Sequence, residues 1–203
     1  TDVLPGAMDY YAVTMLVMFL MYGTTYAVFG MKECYLGPTG IRIHTTPIGR
    51  TQHYLGLITA NLVTVMLQGV IIVNVTRRVF QVNWGDNLPV VYFLIILTGT
   101  AAIGLGTAIV MVTRDEILSG NIVNILVPAM TFLAGGFFRI NPPPGSWIAA
   151  LQYLSPNYLA QTALFTAIYS GDTSTLLTMT GALGLLIIAT FAAALAAERR
   201  ARS

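Results

Sequence analysis

The residues that could do chemistry are few, and their spacing argues against most of it. Asp115-Glu116 is the one adjacent carboxylate pair, set in a tight connection between two apolar stretches. That context reads as a solvated turn rather than an acid–base pair, which needs a shielded site. His44 and His53 stand nine residues apart with no acidic or cysteine neighbour at ligand spacing, so no metal site is expected. A single cysteine, Cys34, allows neither an internal disulfide nor a multi-thiolate centre. Of nine methionines, Met8, Met15, Met18, Met21 and Met31 lie along one apolar helix. Packing or lipid contact explains them better than a copper path. Gly104-Leu105-Gly106 lies in the middle of an apolar stretch with no strand before it, so it is no dinucleotide fingerprint. Asn74-Val75-Thr76 is a glycosylation sequon, and no G-x-x-x-x-G-K-[ST] loop exists to bind ATP. The chain itself is expected to be no enzyme and to carry no cofactor.

What remains is uncharged polarity inside apolar segments. Asn61, Thr64 and Gln68 fall at helical spacing, as do Asn121, Asn124 and Pro128. Two readings stand for them: hydrogen bonds between helices, or the lining of a substrate path. Ala102-xxx-Gly106 and Gly135-Gly136 allow close helix approach.

The elements that must hold these residues follow from composition. The chain has 203 residues, 56% hydrophobic and only 9% charged, with a mean hydropathy of +0.74. Soluble domains are about a quarter charged, and disordered chains are poorer in apolar residues. A net charge of +2, with its basic residues scattered, excludes a nucleic-acid partner. Five stretches, about 10–31, 55–75, 89–112, 117–138 and 176–197, are free of Asp, Glu, Lys and Arg. Each is long enough to cross a bilayer as a helix, which takes about 20 residues. The expectation is an all-α, polytopic bundle forming a single domain over 1–203, in membrane lipid.

Lys32, Arg42, Arg50, Arg114, Arg199, Arg200 and Arg202 collect on one side of such a bundle; Arg77, Arg78 and Arg139 lie on the other. The basic side should be cytoplasmic. The C-terminus is then inside and Thr1 outside, so a span preceding Thr1 is expected. In the inner loop 32–54, Pro38 and Gly40 break the chain early, and Thr46-Pro47 predicts a short helix over about 47–54. In the outer segment 139–175, Trp147, Ile148, Leu151 and Leu154 recur at helical spacing, as do Tyr158, Thr162, Phe165 and Tyr169. Ser155-Pro156-Asn157 separates them. Two short amphipathic helices, lying at the outer interface or dipping into it, are expected. With no ionisable group in mid-span, coupling to a proton or sodium gradient is disfavoured.

Four stretches carry a resemblance. Leu4-Pro5-Gly6-Ala7-Met8-Asp9-Tyr10-Tyr11 opens the first span, and the inner loop holds Glu33, Thr39-Gly40-Ile41-Arg42, Pro47 and Gly56. Phe80-Gln81-Val82-Asn83-Trp84-Gly85 follows the second span. Pro128, Leu133-Ala134-Gly135-Gly136-Phe137-Phe138, Trp147 and Leu154-Ser155-Pro156-Asn157-Tyr158 complete the set. Together they resemble the permease subunits of type-2, exporter-like ATP-binding-cassette transporters, as spans two to six of a six-span permease. Pro38 stands where that family usually has Gly, and Leu57 where it usually has Lys.

The resemblance implies a permease that pairs with an identical or related copy, each docking a separate cytoplasmic ATPase that holds ATP and Mg. Glu33, Thr39, Arg42, Thr46, Pro47 and Arg50 would form the ATPase-coupling segment, with a coupling helix near Thr46–His53. Asn61, Thr64, Gln68, Asn121 and Asn124 would line the path. Gly135, Gly136, Trp147, Pro156 and Tyr158 would shape an outer gate among re-entrant half-helices. The location implied is the cell membrane of a bacterium. An uncharged interior suits an amphiphilic or lipid-like substrate such as a drug, antibiotic or lipid. A non-transporting scaffold or sensor subunit is the competing reading.

Overall fold

The computed structural model describes residues 5–43, 47, 49–140, 142, 143 and 145–200. Among them the chain forms α1 (Ala7–Met21), α2 (Gly23–Met31), a π-helical turn (Lys32–Leu36), α3 (Pro38–Ile43), α4 (Arg50–Val79) and α5 (Leu88–Thr113). There follow α6 (Glu116–Leu133), α7 (Trp147–Leu154), α8 (Pro156–Phe165), a second π-helical turn (Thr166–Ser170) and α9 (Thr173–Arg200). No strand occurs among the described residues. Among the described residues, five helical stretches are long and apolar enough to cross a membrane: Ala7–Leu36, Gln52–Val79, Leu88–Thr113, Glu116–Leu133 and Thr173–Glu198. The chain is an all-α polytopic bundle.

α5 stands at its centre, packed on α9 and α2 and touching α1, α4, α6 and α8. Its sequence explains why. It carries no charge, and Ala101, Ala102, Gly104 and Gly106 let neighbours close in. A Cβ at Gly106 would lie 2.3 Å from the Thr24 carbonyl oxygen of α2, and one at Gly104 2.6 Å from Thr190 Oγ1 of α9. The Gly-Leu-Gly of the sequence is therefore a two-sided packing notch. α4, α6 and α9 are peripheral, with Leu67, Ile71, Ile125, Leu185 and Ile188 outward. In water such faces would aggregate; in lipid they are satisfied.

Contacts between ends show that the spans alternate. Tyr10 donates to the Gly135 carbonyl (2.6 Å) and the Asn83 amide to Asp9 (3.0 Å), so α1 starts beside the ends of α6 and α4. At the opposite end, Lys32 reaches the Arg114 carbonyl (2.9 Å) and Tyr35 reaches Glu198. One end thus carries α3, the other α7 and α8.

Two expectations are corrected. Among the described residues of 47–54 no separate helix forms: Pro47 sits in a bend, and residues from Arg50 onward are the first turns of α4. Gly49 is extended, and Gln52 Oε1 accepts from its amide (3.3 Å), half of a capping box that starts the long helix there. The short helix is α3, which ends at Ile43 ahead of the α4 start at Arg50, and in it Pro38 takes the first helical position instead of breaking the chain. Thr46 and His44 lie outside the described residues. The fourth span ends at Leu133 rather than Phe138. Gly135 is left-handed (φ 79°), its amide bonds the Phe132 carbonyl (2.9 Å), and that of Gly136 bonds the Thr131 carbonyl (2.8 Å), which is a Schellman closure.

Asp115 caps α6 by accepting from the Leu118 amide (2.8 Å), so the carboxylate pair begins a helix. Asp172 does the same for α9. Its carboxylate accepts from the Ser174 amide and hydroxyl (3.0 and 2.7 Å) and from the Thr175 hydroxyl (2.6 Å), and these bonds hold its pKa down at about 2. A depressed carboxyl stabilises fully above its unfolded value, about 3.9, and loses that contribution as pH falls through about 2. The protection of amides in the first turn of α9, relative to their intrinsic exchange rates, should therefore fall between pH 4 and pH 2. Asp172→Ala, which removes the cap, should lose that protection already at pH 6.

Candidate functional site

The polar stripe of α4 divides. Gln68 donates to the Tyr26 hydroxyl of α2 (2.7 Å), and Asn61 lies over Gly30, its Nδ2 3.1 Å from where a Cβ would stand. Both therefore serve the α2–α4 contact, although Asn61 Nδ2 is buried without a hydrogen bond. Thr64 is exposed and bonds only its own helix, at the Ala60 carbonyl (3.0 Å). On α6, Asn121 and Asn124 are both exposed, alongside Ile117 and Ile125. These asparagines do not meet the α4 residues, since α6 packs on α1, α2, α5, α7 and α8. A primary amide facing hydrocarbon lacks partners, so this face of α6 suits a water-filled path or another protein better than lipid.

At the α7–α8 end, polar groups the sequence reading passed over hold the structure. Asn157, fully buried on α8, donates to Thr131 Oγ1 of α6 (2.7 Å). Gln152, the buried residue of α7, donates to the Leu133 carbonyl (2.8 Å), one of the carbonyls left open at the end of α6. The helical spacing in α7 was legible, but its apolar residues point away from the protein: Trp147 and Leu154 are exposed. That polarity is the one a membrane interface selects. Gly136 packs tightly, since a Cβ would meet Thr131 Cγ2 at 2.5 Å, whereas Gly135 supplies the left-handed turn. Pro156 is the first residue of α8, and Tyr158 lies edge-on to Tyr153 (5.4 Å). Arg139 sits 5.0 Å from the Tyr10 ring centre, which stacks on Phe165. Tyr169 donates to the Asn83 carbonyl (3.0 Å), and burial, then the nearby Asp9 charge, push its pKa up to about 12.

The sequon is used structurally. Asn74 donates to Val70 and Tyr92, and Thr76 Oγ1 accepts from Trp84 Nε1 (3.0 Å).

At the α3 end, Glu33 is exposed on the π-helical turn, and Thr39, Ile41 and Arg42 face outward from α3. Pro47 is exposed in the bend and Arg50 is the first residue of α4. Tyr35, Tyr54 and Glu198 form a cluster here that no local motif announces. Among the described residues no group of His, Cys, Asp and Glu could hold a metal ion.

An alternating bundle of five membrane-length helices, charged only towards its ends, defines a multi-pass membrane protein. The family model for ABC-2 family transporter protein matches residues 1–196, and the chain belongs to that family. It is a transmembrane subunit of an ATP-binding-cassette transporter, a membrane component rather than the catalytic one, and the family implies an ATP-binding-cassette partner. No curated protein matches the chain.

Proposed function

We propose that the chain is the permease subunit of an exporter that moves an amphiphilic or lipid-like substrate, driven by a separate ATPase. The observation that carries this reading is the charge-free middle of every span combined with exposed amides on α6. Such an interior offers no group for ion coupling, while Asn121 and Asn124 offer hydrogen bonds along an otherwise apolar surface. Two permeases, identical or related, pair around the path, and Thr64 with the α6 asparagines faces it. ATP and Mg stay in the ATPase. The α3 end lies in the cytoplasm, in agreement with its basic residues. There the exposed face of α3 and the bend at Pro47 receive the ATPase, whose closure rocks the spans. Gly135, Gly136 and the α7–α8 pair, with Trp147, Pro156 and Tyr158, act as the gate on the far side.

Docking is tested by co-purifying the membrane-embedded protein with its ATPase. Replacing Arg42, Pro47 and Arg50 together by Ala should weaken retention at least tenfold, about 1.4 kcal/mol, with the permease still folded. Undiminished retention would move the docking surface elsewhere.

A further inference from the structure

Contacts from α3, α4, α9 and the end of α5 converge on the π-helical turn Lys32–Leu36. Gly40 of α3 is buried against it, so closely that a Cβ would lie 2.1 Å from the Tyr35 carbonyl oxygen and 2.8 Å from its Cα. α3 therefore rests on the main chain of Tyr35. The Tyr35 hydroxyl donates to Glu198 Oε1 in the last turns of α9, 163 residues away in sequence. Lys32, three residues before Tyr35, donates to the carbonyl of Arg114, the left-handed residue that closes α5 (2.9 Å). The Tyr35 ring is 6% exposed and packs 5.7 Å from both His53 and Tyr54 of α4. A short π-helical segment is a register anomaly, and such segments occur frequently at functional sites. Moving one residue of register turns a side chain by roughly 100° about the axis. A change of register at this turn would therefore swing Tyr35 off Glu198.

We propose that Tyr35 is a positioning residue tying the seating of α3 to the end of α9. When α3 shifts, Gly40 pushes the main chain of Tyr35, the π turn changes register, and the hydroxyl leaves Glu198. The far end of the last span then loses this hydrogen bond, while Lys32 keeps the turn anchored to the α5–α6 corner. The use of this tie in transport rests on the docking reading above; the tie itself does not.

The test is hydrogen–deuterium exchange of the full chain in lipid nanodiscs, read over residues 195–200 and 32–36. Tyr35→Phe should raise exchange over 195–200 at least tenfold. Gly40→Ala should do the same, and the double variant should do no more than either. Tyr54→Phe, which removes a hydroxyl with no hydrogen bond, should leave that segment unchanged. The proposal is overturned if Gly40→Ala leaves 195–200 at the wild-type rate, if its effect multiplies with that of Tyr35→Phe, or if Tyr54→Phe equals Tyr35→Phe. Should Gly40→Ala not fold, Glu198→Ala replaces it, since it removes the acceptor of the Tyr35 hydroxyl. Faster exchange in both segments supports the tie, and an unchanged 32–36 overturns it. None of these outcomes depends on ATPase docking.

Discussion

Gly106→Ala is expected to cost about 3 kcal/mol of stability, the upper end of what overpacking does in a close-packed interior. The added methyl would stand 2.3 Å from the Thr24 carbonyl oxygen and 2.9 Å from Thr24 Cα. Both are backbone atoms of α2, so no rotamer change can make room. The two helices must separate, and α5 is the centre on which the other spans pack. Gly120→Ala on α6 is the matched control, because a Cβ there meets nothing within 4 Å. Thermal unfolding in detergent should show a clear drop for the first and little for the second. Equal melting temperatures for wild type and Gly106→Ala would mean that α2 and α5 do not approach as described.

Trp84→Ala should cost about 3–5 kcal/mol, the range for truncating a buried aromatic. Trp84 is 2% exposed although it lies in the connection between α4 and α5. Its indole N–H donates to Thr76 Oγ1, and the same loop is held by Asp9 at the Asn83 amide and by Tyr169 at the Asn83 carbonyl. Removing the ring leaves a cavity beneath a loop joining α1, α4 and the segment before α9. Trp84→Phe keeps most of the volume but loses the N–H, so it should recover more than half of the loss. Fluorescence-detected melting of both variants checks the order.

The five spans were legible because charge is expelled from membrane interiors with little ambiguity, so the gaps between charged residues mark the helices. What sat on each face was less legible. Helical spacing correctly aligned Asn61 and Gln68, but it could not say that Gly30 and Tyr26 of α2 would stand opposite and draw both inward. Likewise α7 has the expected periodicity with its apolar side outward, the orientation a membrane interface favours. The short inner helix was misplaced because Pro38 was read as a breaker, whereas a first-turn position tolerates proline. Gly49 with Gln52 then starts α4 where a separate helix was expected. The link between Tyr35 and Glu198 joins positions 163 residues apart and has no local signature at all. Asn157 and Gln152 stood inside recognised segments, but only tertiary packing reveals that they hold α7 and α8 to the end of α6.

The central claim is that this membrane bundle works on ATP hydrolysed by another protein and on no ion gradient. It is tested most directly by reconstituting the full permease with its ATPase in proteoliposomes and following a headgroup-labelled phospholipid and a cationic amphiphilic dye. Movement of at least one probe should require both ATP and the ATPase, with imposed proton or sodium gradients alone giving none. Movement driven by a gradient without ATP, or no ATP-dependent movement of either probe while the bound ATPase hydrolyses ATP, would contradict the account.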